Sequence, residues 1–237
     1  LLDTGVKLHR HKRCLQLEIP WINTLSPPLP AKEIMRLSGF LLQLKALLEL
    51  GATLDVEKRI ISLNFFPHSP RFKINLWSDV YDPLYIYYAK RILSKLFARN
   101  NIVLKNAIVI DIGAYIGDTA VLFALEGAKN VFSFEPHPTL FELLRANISL
   151  NHLEKKIVPY RLAVGDSSKI IPLRLPRGKY KTLGITAYGD GPIICYAHQI
   201  AFEDVLDKFD KVDLVKFNCE GCEYPSILST NIESLRK

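Results

Sequence analysis

Acids and glycines gather where three short apolar runs end. In VIDIGAYIGDTAV the run closes on Asp111, Gly113 and Gly117 follow, and Asp118 stands where a helix N-cap is expected. In VFSFEPHP, 24 residues beyond Asp111, the run closes on Glu135. In VDLVKFNCEGCEYP it carries Lys216 and leads into Asn218, Glu220 and Glu223 around a Cys-x-x-Cys. Glycines after a strand let backbone amides approach a ligand without Cβ clashes. An acid at the end of the following strand can accept two hydrogen bonds from ribose hydroxyls. Spacing and order together point to an adenosine-bearing ligand. A dinucleotide is disfavoured, because Tyr115 replaces the middle glycine of G-x-G-x-x-G and Asp118 puts an anion where pyrophosphate would rest.

S-adenosylmethionine fits these residues better. It has no phosphate; its sulfonium and ammonium suit acidic groups, and loop amides can accept its carboxylate. A further acid, Asp166 in LAVGDSS, falls where the adenine edge would lie, although a Gly-Asp turn explains it equally well as chain reversal. The Cys219–Cys222 spacing supplies only one pair, and a closed zinc site needs four ligands. No metal is therefore expected; a redox dithiol remains an alternative to simple packing of two small residues.

These tips need a scaffold that places them side by side. From residue 106 onward, short apolar runs alternate with helical patterns: AIVIDIG, TAVLFALEG, VFSFE, PTLFELLRANISLN, IVPYRLAV and VDLVKFN. Such alternation predicts a parallel sheet, and runs apolar throughout predict cover on both faces. The expected fold class is α/β, a doubly wound, mainly parallel sheet over 106–237, with ligands at the carboxyl ends of its strands. Residues 1–105 read as an N-terminal, mainly helical extension. A helix is expected over Glu33–Leu50, ended by Gly51, after the Pro-rich linker SPPLP at 26–30. A second is expected from Asp82–Pro83 along Leu84, Tyr88, Ile92 and Leu96, after the strand-like RFKINLWSDV.

With 49% hydrophobic residues, 12 Gly, 14 Pro and 4 Cys, the 237-residue chain has globular composition. Disordered, collagen-like and disulfide-scaffold classes are excluded. Charges interrupt every apolar stretch, so no membrane span is expected; few Cys suggest a reducing, cytoplasmic setting. The first 105 residues hold 16 of the 31 Lys+Arg but 8 of the 24 Asp+Glu, a surplus of +8 against −1 for the remainder, so the net +7 originates there. That surplus suits either a polyanion-binding surface or a solvated helical face.

The block from Val109 through Asn151 and the later DLVKFNCEGCEYPSIL resemble the FkbM family of S-adenosylmethionine-dependent methyltransferases, within the class I, Rossmann-like group, over about residues 75–230. The resemblance implies that the Asp111–Asp118 loop, with Gly113, Ala114, Tyr115, Gly117 and Asp118, holds the methionine part. It likewise implies that Glu135 and Pro136 border the ribose, and that Ala163–Asp166, with Val164 and Asp166, borders the adenine. Departures are Tyr115 for the usual Asn and Asn218 for the usual Asp. The chain also stops at Lys237, before the fifth strand and closing antiparallel pair that the resemblance leads one to expect, so the domain reads as truncated or unusually short. Glu220 is the first candidate for base or acceptor binder, with Lys216 and Glu223 next, His137 behind, and Asn218 at the same tip; an ion pair is the alternative for Glu220 and Lys216. The implied reaction is O-methylation of a small molecule or glycan. RNA methylation and a non-catalytic, cofactor-binding relic are the alternatives. Lys169, Arg174, Arg177, Lys179 and Lys181, with no acid among them, suggest an anionic acceptor at a loop near the pocket. Oligomeric state is not indicated.

Overall fold

The computed structural model describes residues 6–11, 14–20, 24–25, 41–66, 68–73, 93–175, 185–187 and 190–236. The chain divides into two units, Leu1–Ile92 and Leu93–Lys237. In the first unit, β1 (Lys7–His11), β2 (Cys14–Ile19) and β3 (Thr24–Leu25) form one antiparallel sheet. Helix α1 covers 41–49; β4 (Thr53–Asp55), β5 (Ile60–Ser62) and β6 (Arg71–Lys73) form a second antiparallel sheet. Opposed residues on β1 and β2 explain the first pairing: Glu18 faces Lys7 in register, accepts from its Nζ at 2.8 Å and meets His9 Nε2 at 2.7 Å. Leu41, Leu44 and Leu47 are the buried stripe of α1, and Gly51, at φ 100°, ends it as the sequence predicts. The extension was expected to be mainly helical; its described residues instead carry six short strands. Strands of 2–6 residues give too few alternations to stand out from loop sequence. The SPPLP linker and the helix start at Asp82–Pro83 lie outside the described residues.

The second unit opens with α2 over 93–99 and continues as β7 (Ile108–Ile112), α3 (Asp118–Leu125), β8 (Asn130–Phe134), α4 (Pro138–Leu150) and β9 (Ile157–Tyr160). After these come β10 (Ala163–Gly165), β11 (Lys169–Arg174), β12 (Ile193–Ala201), α5 (Phe202–Leu206), β13 (Leu214–Phe217), α6 (Glu223–Ser229) and α7 (Ile232–Leu235). The main sheet has the order β13-β7-β8-β9, every pair parallel. Successive residues of β7 face opposite sides. Ile110 and Ile112 pack with Phe134, Val164 and the α5 residues Phe202, Val205 and Leu206, whereas Asp111 is hydrogen-bonded to Thr119 on α3. Helices therefore cover both faces, the doubly wound α/β arrangement expected from the apolar runs. Residues 118–124 of α3 are all buried, as befits a helix apolar on every side.

The run IVPYRLAV was read as one strand. The chain instead breaks at Arg161–Leu162, and Ala163–Gly165 leaves the parallel sheet to pair with β12 in a mixed sheet of order β10-β12-β11. The segment after it, Lys169–Arg174, forms an antiparallel ladder with β12 whose register shifts between Leu173 and Arg174. Asp118 was expected as the helix cap, but Gly117, left-handed at φ 85°, holds the N-cap and Asp118 is the first helical residue.

Candidate functional site

Parallel pairing sets the carboxyl ends of β13, β7 and β8 in one row, with Lys216 beside Asp111 and Asp111 beside Ser133. The glycine turn rises between them. Gly113 and Ala114 both donate to the carbonyl of Phe134 at 3.0 Å, and Tyr115 N–H donates to Glu135 Oε2 at 2.9 Å. Gly113 lies at φ 72°, and a Cβ there would overlap the carbonyl of Asn218. The cofactor turn and the tip of β13 thus touch backbone to backbone, and only glycine permits it. Gly117 is similarly pressed: a Cβ would come 2.6 Å from Leu144 Cδ1. Asn147 secures the far side of the turn by donating from Nδ2 to Ile116 O at 2.8 Å.

Three carboxylates are buried here. Asp111 is fully buried; Oδ2 accepts from Thr119 Oγ1 at 2.7 Å, and Oδ1 pairs with Lys216 Nζ at 2.8 Å. Glu135 accepts from His137 N–H at Oε1 and from Tyr115 N–H at Oε2, both at 2.9 Å. Burial pushes its carboxyl up to about 7; the two amides and the Lys216 charge oppose that, and the Asp111 charge adds to it. Burial likewise pushes Asp118 up to about 6, with Lys216 opposing and Asp111 adding. Asp118 Oδ2 is buried without a hydrogen-bond partner. An orphaned carboxylate oxygen beside an open-backbone turn suits a cationic ligand, and two more lone pairs on Glu135 suit hydroxyl donors. The residues fit S-adenosylmethionine on these grounds.

The adenine-side residues divide. Val164 is buried in the apolar core with Phe202 and lies opposite Ile200 in the ladder with β12. Asp166 is largely exposed and its Oδ1 accepts from Lys169 Nζ at 2.8 Å and from Gln199 Nε2 at 3.0 Å. Those bonds, Lys169's above all, hold its carboxyl below the usual range. Pro136 and His137 are half-buried at the mouth of the β8 tip. Burial lowers the His137 imidazole, favouring its neutral form.

At the β13 tip, Asn218 and Glu220 are exposed. Glu220 lies at φ 57°; although the residue as a whole is exposed, partial desolvation of its carboxyl, followed by the neighbouring Glu223 charge, raises it. Glu223 is an internal staple: it accepts from Cys219 N–H at 3.0 Å and Gly221 N–H at 2.8 Å. Cys219 and Cys222 are joined in a disulfide, which corrects the expectation that they merely pack as small residues. Their separation of 5.5 Å between Cα atoms, set by the tight turn through Glu220 and Gly221, places the two side chains together. Lys216 reaches inward, pairing with Asp111 and donating to Gly113 O at 2.8 Å, not with Glu220. Of the basic cluster, Lys169 is paired with Asp166 and Arg174 donates to Gly191 O at 2.9 Å; Arg177, Lys179 and Lys181 lie outside the described residues.

Sequence reasoning missed Thr119, Asn147 and Gln199. Asn147 had a signal, a polar residue within the Leu140–Leu144–Ile148 stripe of α4. Among the described residues no three His, Cys, Asp or Glu gather as a metal site, and no helix is long and apolar enough to cross a membrane.

Residues 111–237 match the family model described as Methyltransferase FkbM domain. The chain is similar to tRNA (guanine(37)-N(1))-methyltransferase Trm5b of Methanocaldococcus jannaschii, 29% identical over 156 residues, which are 62% of this chain and 43% of that protein. The chain therefore spans less than half the length of that curated relative. Among solved structures, a complex of aTrm5 with tRNALeu is 28% identical with a TM-score of 0.31, covering 38% of this chain and 25% of that one. The structure of PRMT6 with SAH is 26% identical with a TM-score of 0.26, covering 32% and 24%.

Proposed function

Because the chain belongs to the FkbM methyltransferase domain family, a class whose methyl donor is S-adenosylmethionine, we propose that it methylates a hydroxyl of a small molecule or glycan. The observation that carries the reading is the Gly113 turn clamped to Glu135, with Asp118 Oδ2 orphaned beside it. S-adenosylmethionine, when bound, supplies a methyl group already activated on a sulfonium. The protein's task is then to orient and exclude water, and alignment alone can contribute several kcal/mol. In this reading Asp111 and Asp118 favour the cation, Glu135 takes the ribose hydroxyls, and the Gly165–Asp166 turn borders the adenine.

In this reading Glu220 receives the acceptor's proton. It is exposed at the β13 tip, and its raised carboxyl is a better base near neutral pH than an ordinary glutamate. Asn218, lacking a proton-accepting carboxylate, serves to orient the acceptor by hydrogen bonds. A positive rim from the 169–181 segment would favour an anionic acceptor. Lys169 is ion-paired with Asp166, whereas Arg174 donates to a carbonyl and keeps its charge. In a cytoplasmic setting, which the scarcity of Cys favours, reducing conditions would open the Cys219–Cys222 bridge.

The second reading is RNA methylation. It draws on the similarity to a tRNA methyltransferase and on the basic N-terminal segment. A cofactor-binding relic is a third, favoured by Asn218. The test is transfer of label from methyl-tritiated S-adenosylmethionine to a panel of hydroxyl-bearing small molecules and glycans, with tRNA transcripts alongside. Label in a hydroxyl compound supports the proposal, label in tRNA replaces it with the second reading, and cofactor binding without label in either favours the third.

A further inference from the structure

We propose that Lys216 is a positioning residue, whose ammonium ties the glycine turn to β7 and β13, so that a cationic cofactor is bound in line with the acceptor tip of β13. The proposal rests on the reading of this pocket as a site for S-adenosylmethionine. It assigns Lys216 no contact with acceptor or reacting atoms.

The geometry is that of a brace. Lys216 sits on β13 directly beside Asp111 of β7, with its side chain 15% exposed. One ammonium joins Asp111 Oδ1 and Gly113 O, each at 2.8 Å. Asp111 passes the connection to α3 through Thr119 Oγ1 at 2.7 Å. Two strands, the turn and the helix that follows it are thereby tied at one nitrogen. The carbonyl of Asn218, two residues beyond Lys216, abuts Gly113 from the same strand. Any shift of the turn must therefore move against the acceptor tip, and the brace keeps the two in register.

The charge arrangement asks for the same residue. Asp111 from β7, Asp118 from α3 and Glu135 at the end of β8 are all buried. His137 beside Glu135 is pushed toward its neutral form by burial, and Cys195 on β12 feels the Glu135 charge but is a thiol whose ionisation burial disfavours. Against three acids the described residues facing this cluster supply one ammonium, Lys216, and its charge opposes protonation of both Asp118 and Glu135. Asp118 Oδ2, buried and unpartnered, leaves room for a further positive group. A ligand with a sulfonium meets that need; its demethylated product, which has lost that charge, meets it less well. Removing the ammonium takes away the charge that opposes burial, so these carboxyls rise further and hold protons to higher pH, which costs the cationic ligand more than the product.

The experiment is calorimetric titration of S-adenosylmethionine and S-adenosylhomocysteine into wild type, Lys216→Gln, Lys216→Arg and Thr119→Val between pH 6 and 9. Lys216→Gln keeps a donor for Gly113 O but no charge. It should weaken S-adenosylmethionine by about tenfold at pH 7, the low end for losing a hydrogen bond to a charged group. That loss should shrink toward pH 9 as the carboxylates ionise, and the product should lose less. Lys216→Arg should restore the wild-type pH profile. Thr119→Val, which loosens Asp111 but keeps the ammonium, should weaken both ligands alike without changing the profile. Equal, pH-independent weakening of both ligands in Lys216→Gln would reduce Lys216 to plain structure and overturn the proposal, as would wild-type affinity in that variant. If Lys216→Gln does not fold, Lys216→Arg decides: a profile unlike wild type overturns it. Wild type binding neither ligand would instead remove the reading on which the proposal rests.

Discussion

Replacing Glu135 with Gln should change how stability responds to pH. The Glu135 carboxyl is raised from 4.5 to about 7, with burial the largest cause. Between those two values the folded chain holds a proton that the unfolded chain has released. Stability must therefore fall as pH rises through that window and level off above about 7. At about 1.4 kcal/mol per pH unit, stability changes by about 3.5 kcal/mol across that window. Glu135→Gln abolishes that titration. It also sets an NH2 group against one of the two amides, Tyr115 or His137, that the carboxylate accepts; a buried amide left without its acceptor costs about 1–3 kcal/mol at every pH. The variant should be less stable than wild type at pH 5 and should match or exceed it at pH 8. Asp118, raised from 3.8 to about 6, keeps a slope in both proteins below pH 6, so the decisive interval is pH 6 to 8. Urea unfolding of ligand-free protein at half-unit steps reads this directly. Parallel stability curves over pH 6–8 would refute the reasoning, because they would mean that Glu135 is already ionised in the folded pocket.

The Cys219–Cys222 bridge closes a loop of only four residues, so reducing it with a dithiol should lower stability in urea unfolding by about 2 kcal/mol from chain entropy alone; replacing both Cys with Ala should lower stability similarly, leave cofactor affinity near wild type and bring no zinc in metal analysis. Gly113→Ala should lower stability by about 2–4 kcal/mol and abolish cofactor binding, since it combines a left-handed backbone with overlap on the Asn218 carbonyl; a melting temperature near wild type would contradict the packing. Asn218→Asp should raise methyl transfer to a competent acceptor and Glu220→Gln should abolish it; equal turnover in wild type and both variants would mean that the β13 tip takes no part.

The parallel sheet was legible because its strands are near-continuous apolar runs at βαβ spacing, and parallel order then follows from the crossovers. The row Asp111, Gly113 and Glu135 followed because strand ends are marked by acids and glycines. Lys216 was legible as a candidate but not in its pairing with Asp111 and Gly113. A strand-borne lysine reads equally as facing acceptor or neighbouring strand, and only the register with Asp111 decides between them. Glu223 was likewise an acid like its neighbour Glu220 until its two oxygens were found on the Cys219 and Gly221 amides. The split of IVPYRLAV between two sheets depends on β12, whose partner strand lies 20 or more residues away, beyond the reach of local pattern. The strands of the first unit failed to register for a different reason: strands of two to six residues carry too little periodicity.

The most direct test of the central claim is a titration of S-adenosylhomocysteine into the purified protein, with Glu135→Ala and NAD as comparisons. The expected result is saturable binding at one site per chain, clearly weakened by Glu135→Ala, with NAD binding more weakly than S-adenosylhomocysteine. Absence of S-adenosylhomocysteine binding to wild type, or tighter binding of NAD, would contradict the assignment of the Gly113 turn and Glu135 to S-adenosylmethionine.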